Sequence, residues 1–305
     1  MSGRLEYLAE KRLDFENLRL ESENFLKSFL NRHLIGRLMN SFPNLANSLL
    51  SRSEGEIARL LYKDREKGTF RVLNEMYDYE KSKTTDVLEK LIMESPAVKA
   101  ARNRKKIAQY LLKLTLENSK RSKFIFSVGG GNGRLELEVL KDYPVNYYCC
   151  LDTDERAILE GEALAKKFRV SDQTIFLKGS IRNKDDLNSV TRMATERFLK
   201  HFPYLDIVLC QGVFEYFDMK RCSNRQLNNV LTAIYEKTSS NGILLASQTD
   251  YHDRVKYLEK GLDWYMRLRS REEVKNEMER VGWCVEYCEK EPMNLITLSL
   301  SSKRN

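Results

Sequence analysis

Histidine and cysteine, from which metal and thiol chemistry is most often built, are thin in this chain of 305 residues. His33, His201 and His252 lie far apart, and no HExxH pair or Cys/His cluster occurs, which argues against any metal site and zinc in particular. The six cysteines all follow residue 148 and form no CxxC pair and no regular framework. They read as reduced, mostly buried thiols of a cytoplasmic protein. No apolar run approaches the ~18 residues that span a bilayer. The first 20 residues carry Arg4, Glu6, Glu10, Lys11, Arg12, Asp14, Glu16 and Arg19, so no signal peptide is expected there. No proline is followed by cysteine, which leaves out a Pro-Cys nucleophile pair, and there is no internal repeat or low-complexity stretch. What is present, at 42% hydrophobic residues, suffices for a packed core.

Charge is unevenly placed. Residues 1–123 hold 25 Lys+Arg against 17 Asp+Glu, whereas 124–305 hold 27 of each, so the whole net charge of +8 lies in the first part. Sequence texture changes at the same place, which sets a boundary near Lys123. Leu8, Phe15, Leu18, Phe25 and Phe29 recur at helical spacing, Pro43 interrupts the pattern, and further helices are expected over 54–62, from an N-cap at Thr84 toward Met93, and over 97–116. Arg102, Arg104, Lys105 and Lys106 form the densest basic cluster. Such a face is either solvated or attracts an anionic partner. It lacks the interleaved aromatics that stack nucleic-acid bases.

After Lys123 short β-rich runs alternate with helical ones. Strands are expected at 124–128, 146–151, 174–177, 205–210 and 243–247, with helices at 134–140, 154–168, 184–200 and 224–237 between them. That rhythm implies βαβ units in a parallel sheet. Ser270 and Glu273 form a capping box opening a helix that ends near Gly282. The last two strands, 284–288 and 295–300, have no helix between them and can pair only as a hairpin. The predicted fold class is α/β: a Rossmann-like, doubly wound seven-stranded sheet with a C-terminal antiparallel hairpin, preceded by an N-terminal α-helical region.

The chemistry begins where the first strand runs into glycines, Val128-Gly129-Gly130-Gly131-Asn132-Gly133. A strand, a glycine loop and a helix in succession mark the place where an open α/β sheet binds a cofactor. Arg134 and Asn132 break the dinucleotide GxGxxG in both registers, and no Lys-Ser/Thr follows to make a phosphate loop. Asp152, beside Thr153, closes the second strand 19 residues beyond Gly133, where a carboxylate can accept both ribose hydroxyls of an adenosine group. Gly179, Ser180 and Ile181 follow the third strand, in position to flank adenine. Together these features point to S-adenosyl-L-methionine rather than NAD.

At these residues the chain resembles the class I S-adenosylmethionine-dependent methyltransferases over 124–305. It looks closest to a bacterial branch some of whose members are joined to an α/β-hydrolase, and more distantly to synthases of 3-hydroxy fatty acid methyl esters. The branch's Ala-Val-Arg-x-Arg-like helix is similar to Ala97-Val98-Lys99 with Arg102 and Arg104. Its later segments resemble Gly212-Val213-Phe214-Glu215, Gln248 with His252, and Trp264-Tyr265-Met266-Arg267-Leu268-Arg269. Where the group has Gly-Asp after strand three, this chain has Gly179-Ser180. The expected organisation is a helical N-terminal region over 1–115, forming a lid that shapes the acceptor pocket, and a class I methyltransferase domain over 116–305.

Residues after the fourth and fifth strands should border the transferred methyl. Gln211 and Gly212 are assigned to the cofactor, and Tyr216, Gln248, Tyr251, Trp264, Arg267 and Arg269 to the acceptor, with the arginines gripping an anion. His252 is the candidate base and Glu215 an orienting acid. A Pro-Pro-aromatic grip for a base amine is missing after strand four, which disfavours nucleic-acid bases. The expectation is methyl transfer, through oxygen of a hydroxyl or carboxylate, to a small-molecule or lipid-like acceptor. The alternatives are an RNA or tRNA methyltransferase and a cofactor-binding protein without catalysis.

Overall fold

The computed structural model describes residues 16–23, 37–66, 68–79, 85–117, 119, 121–198, 202–217, 225–252 and 255–303. The expected helix through Leu8, Phe15, Phe25 and Phe29, and the residues Thr84, Lys200 and Asn224, lie outside them. Seven strands form one sheet: β1 Phe124–Val128, β2 Tyr147–Asp152, β3 Thr174–Lys178, β4 Leu205–Gln211, β5 Thr238–Thr249, β6 Trp283–Lys290 and β7 Ile296–Lys303. Their order is β3-β2-β1-β4-β5-β7-β6, with β1 to β5 parallel and β7 antiparallel to both neighbours. The order reverses at β1, and the crevice at the carboxyl ends of β1 and β4 opens there.

The helices are α1 Arg37–Ser41, α2 Pro43–Leu50, α3 Glu56–Ala58 (running into a π-turn, Arg59–Lys63), α4 Phe70–Asp78, α5 Val87–Met93, α6 Pro96–Glu117, α7 Arg134–Leu140, α8 Glu155–Lys167, α9 Lys184–Phe198, α10 Arg225–Lys237, α11 Val255–Gly261 and α12 Arg271–Val281. Alternate strand residues point to opposite faces, so the buried runs split into two cores. Ile125, Tyr148, Ile207 and Leu245 meet α6, α7 and α8 on one face. Phe126, Cys149, Val208 and Leu244 meet α9, α10 and α12 on the other.

A third core, built on Ile57, Leu60, Val72, Met76 and Ile92, binds the N-terminal helices together. It is completed by Tyr257 and Leu262, from a segment inserted after β5. Tyr257 also meets Tyr62 hydroxyl to hydroxyl at 2.9 Å. Helix α6 belongs to both regions: Val98 and Ala101 sit in the helical core, Ile107, Leu111 and Leu112 in the sheet core. The sequence pattern missed α1, α2, α4 and α11; Pro43, read as an interruption, opens α2 at its first position. The N-cap of α5 is Asp86 rather than Thr84, because the Asp86 carboxylate accepts from Leu88 N at 2.7 Å and Glu89 N at 3.2 Å. Among the described residues, no helix is long and apolar enough to cross a membrane.

Candidate active site

β1 ends at Val128 and the chain turns through Gly129, Gly131 and Gly133, all with positive φ (58°, 60° and 65°). Only glycine takes this conformation without strain. A Cβ on Gly131 would also lie 2.7 Å from Cβ of Phe70, so the first residue of α4 packs directly on the loop. Beneath it, the Cys150 thiol donates to Gly131 O at 3.4 Å. Burial pushes the thiols of Cys149, Cys150 and Cys210 upward in pKa, leaving them protonated and unreactive.

Asp152 faces this loop. Its Oδ2 accepts from Gly131 N at 2.8 Å and its Oδ1 from Asp154 N at 2.9 Å. A carboxylate offers about four lone-pair sites, so roughly two remain for a vicinal diol. Next to it, Ser180 N donates to Asp186 of α9 at 2.8 Å, and Arg182 N to Ser180 Oγ at 3.3 Å. A carboxylate therefore does stand at this strand end, supplied by α9 rather than by the residue after Gly179.

The β4 and β5 ends are tied together. Gly212 N donates to Ser247 Oγ at 3.0 Å, and Gln211 Nε2 to Leu245 O at 3.1 Å. Glu215 is buried, and its Oε1 accepts from both N and Oγ1 of Thr249 at 2.8 Å. Arg269, also buried, spends its guanidinium on Phe214 O (2.8 Å), Phe217 O (3.3 Å) and Gln248 Oε1 (3.3 Å). Gln248 in turn donates to Thr249 O and Arg267 O. Arg269 and Gln248, assigned to the acceptor from the sequence, thus brace the loop after β4. Tyr251 and Arg267 are exposed and, like them, lie outside the cavity lining.

One cavity of about 550 Å³ joins these parts. Val128, the loop from Gly129 to Asn132, Asp152, Thr153, Gly179, Ser180, Ile181, Gln211, Gly212, Glu215, Tyr216, His252 and Trp264 line it; Gly133 does not. Trp264 Nε1 donates to the Tyr216 hydroxyl at 3.3 Å, beside Gly68. Several lining residues escaped the sequence reading: Phe70, Leu73 and Met76 of α4, Leu258 of α11, and Arg104. The regular spacing of Phe70, Leu73 and Met76 was a readable helical signal. Arg104 was visible in a basic cluster and in the resemblance to the branch's Ala-Val-Arg-x-Arg-like helix, without a role at the site. Within that cluster Arg102 pairs with Glu21, Lys105 with Glu138 and Lys106 with Arg19 O, while Arg104 is buried. Desolvation opposes its charge, yet Tyr77 and then Glu215 beside it hold its pKa above the usual arginine value.

A glycine-lined turn, a half-satisfied carboxylate and apolar lining residues fit an adenosine-bearing cofactor lying across β1. A family model described as "Putative methyltransferase" matches residues 74–303. The chain belongs to that methyltransferase family. No curated protein matches its sequence. Among solved structures, a possible exported protein from Bordetella parapertussis aligns over 100% of this chain and 97% of its own, at 16% identity and a TM-score of 0.67. That likeness establishes the fold. Two others align less fully: a 1,6-didemethyltoxoflavin N1-methyltransferase from Burkholderia thailandensis with S-adenosylhomocysteine (13% identity, 66% of this chain, 79% of that one, TM-score 0.47), and the N-methyltransferase NodS from Bradyrhizobium japonicum WM9 (10% identity, 67% and 88%, TM-score 0.45).

Proposed function

We propose that the chain is an S-adenosylmethionine-dependent methyltransferase acting through oxygen on a small, largely apolar or lipid-like acceptor. The donor is S-adenosyl-L-methionine, which when bound supplies a methyl group on a sulfonium for in-line displacement. The observation that carries the reading is one cavity with two unlike kinds of lining. One is the glycine loop with Asp152, which would hold the ribose diol through its remaining lone pairs. The other is apolar, Leu73, Met76, Leu258, Met266 and Ile296, which would bury an apolar acceptor and keep water from the reacting atoms.

Catalysis of this kind is largely alignment, and the protein's share is to hold two molecules in one closed space. His252, on the cavity wall after β5, takes the proton of an acceptor hydroxyl. The helical layer within 1–115 acts as a lid, with Phe70 seated on the glycine loop. Free thiols at Cys149, Cys150 and Cys210 suit a cytoplasmic setting. The basic run that an RNA methyltransferase would need for phosphates is engaged within the protein.

Isothermal titration with S-adenosylmethionine and with NAD tests the donor. Binding of S-adenosylmethionine alone is expected, and binding of NAD alone would overturn the reading. An untargeted mass-spectrometric search for a product heavier by CH₂ in cells expressing the protein identifies the acceptor. A product bearing the methyl on nitrogen would overturn oxygen transfer.

A further inference from the structure

Three residues lining the cavity each carry a buried polar atom without a hydrogen-bond partner: Arg104 at Nε, Gln211 at Oε1 and Glu215 at Oε2. A single orphan of this kind is costly, and three around one space are a pattern rather than an accident of packing. They comprise a cationic donor, an anionic acceptor and a neutral acceptor. An α-amino acid zwitterion carries the complementary set: a carboxylate for the guanidinium, and an ammonium with three N–H groups for the two oxygens.

The topology says whose zwitterion it is. β1 lies between β2 and β4, and neighbouring strands are about 4.8 Å apart. Asp152 at the end of β2 and Gln211 at the end of β4 therefore stand roughly two strand spacings apart, across the glycine loop. A nucleoside held at Asp152 and lying across β1 puts its other end at β4. Part of the local geometry is already set. Glu215 is anchored through its other oxygen by Thr249. Gln211 is fixed through Nε2 by Leu245 O, which aims Oε1 elsewhere. Gly212 has φ 71°, and a Cβ there would lie 2.5 Å from Arg104 Nη1, so the guanidinium rests on bare backbone.

We propose that Arg104, Gln211 and Glu215 form the cradle for the amino acid end of the methyl donor, Arg104 pairing with its carboxylate and Glu215, with Gln211, taking its ammonium. This rests on S-adenosylmethionine being the donor. It makes Glu215 a binding residue and leaves proton removal to His252. The three atoms are closed to water as they stand, so seating the ligand requires side-chain adjustment at the cavity wall.

Calorimetric affinities for three ligands test the assignment: S-adenosylhomocysteine, its decarboxylated amine, and 5′-methylthioadenosine, which lacks the amino acid end altogether. The unaltered protein should bind S-adenosylhomocysteine at least about tenfold more tightly than either truncated ligand, the size of a charged hydrogen-bonded pair. Arg104→Gln should weaken S-adenosylhomocysteine by roughly 10- to 100-fold and leave the other two within about twofold. Glu215→Gln should weaken S-adenosylhomocysteine and the amine together and spare 5′-methylthioadenosine. Equal affinities for all three ligands in the unaltered protein, a comparison that needs no variant to fold, would overturn the cradle. So would an Arg104→Gln variant that weakens all three alike. Absence of binding by any of the three would instead remove the donor itself.

Discussion

Glu136 lies in the first turn of α7, 3% exposed, with its carboxylate accepting from Ser127 Oγ and its side chain on the cavity wall. Burial raises its pKa, with the Ser127 hydrogen bond opposing. A carboxyl whose folded pKa is raised holds its proton more tightly folded than unfolded. Its contribution to stability is complete below the ordinary glutamate pKa of about 4.3 and is lost as pH rises through the folded value. Glu136→Gln lacks that loss, so urea unfolding at pH 4, 5 and 8 should show the variant gaining on the unaltered protein as pH rises. A difference that stays flat would mean the carboxyl is not desolvated as described. His252→Gln tests the base: with a hydroxyl acceptor, kcat should fall about 100-fold or more, and the acidic limb of the pH–rate profile should vanish. A carboxylate acceptor needs no base, and its rate should barely change. At this scale the position of Asp152 beside the glycine loop was legible, because it follows from its place at the end of a strand. Arg269 and Gln248 were not. What separates a brace from a binding residue is whether its donors are already spent, which depends on loops distant in sequence.

Among the elements, the capping box at Ser270 and Glu273 and the left-handed Gly282 (φ 110°) delimit α12 in the structure as they do in the sequence. The β6–β7 hairpin was legible from a missing helix, since adjacent strands without a crossover must run antiparallel. Short helices were harder. α11 has seven residues and lies beside irregular chain, so it offers too few turns for its pattern to stand out, whereas α4, with nine, carried a readable Phe70, Leu73, Met76 spacing. The start of α5 shows why a cap cannot always be chosen by residue type. Asp86 holds it by accepting not only from its own helix but also from Ser53 Oγ (2.7 Å) and Glu54 N (2.9 Å), far away in sequence. Those bonds, the Ser53 hydroxyl first, lower its pKa to about 2. Asp86→Ala should therefore lose about 1–2 kcal/mol of unfolding free energy at neutral pH. The loss should shrink as pH falls from about 3.9 through the folded value, where the native carboxylate takes up its proton. Urea titrations at pH 7 and pH 2.5 compare the two.

For the whole molecule, charge and packing divide the chain differently. The excess of +8 ends at Lys123, yet the apolar residues of α6 join the helical core to the sheet core without a break. Asn103 adds a polar tie from α6 to the far end of the sheet, donating to Glu291 at 3.1 Å, which in turn accepts from Met293 N and Leu295 N. The parallel α/β sheet could be argued from alternating runs, because the periods of strand and helix are local. The sharing of α6 could not, because it depends on which of a helix's faces finds which neighbour. Two layers joined by one helix should melt together. Calorimetry should give a single transition with equal van't Hoff and calorimetric enthalpies, and two separate peaks would contradict the shared core.

The same helix determines where the polypeptide can be shortened. A fragment beginning at Arg121 would keep every strand but lose Ile107, Leu111, Leu112 and Leu116, uncovering the apolar side of β1, β4, β5 and β7. An exposed patch of that kind drives association rather than independent folding. Nothing trimmed at the charge boundary should stay in solution as a monomer, and a tractable minimal protein has to start upstream of Pro96.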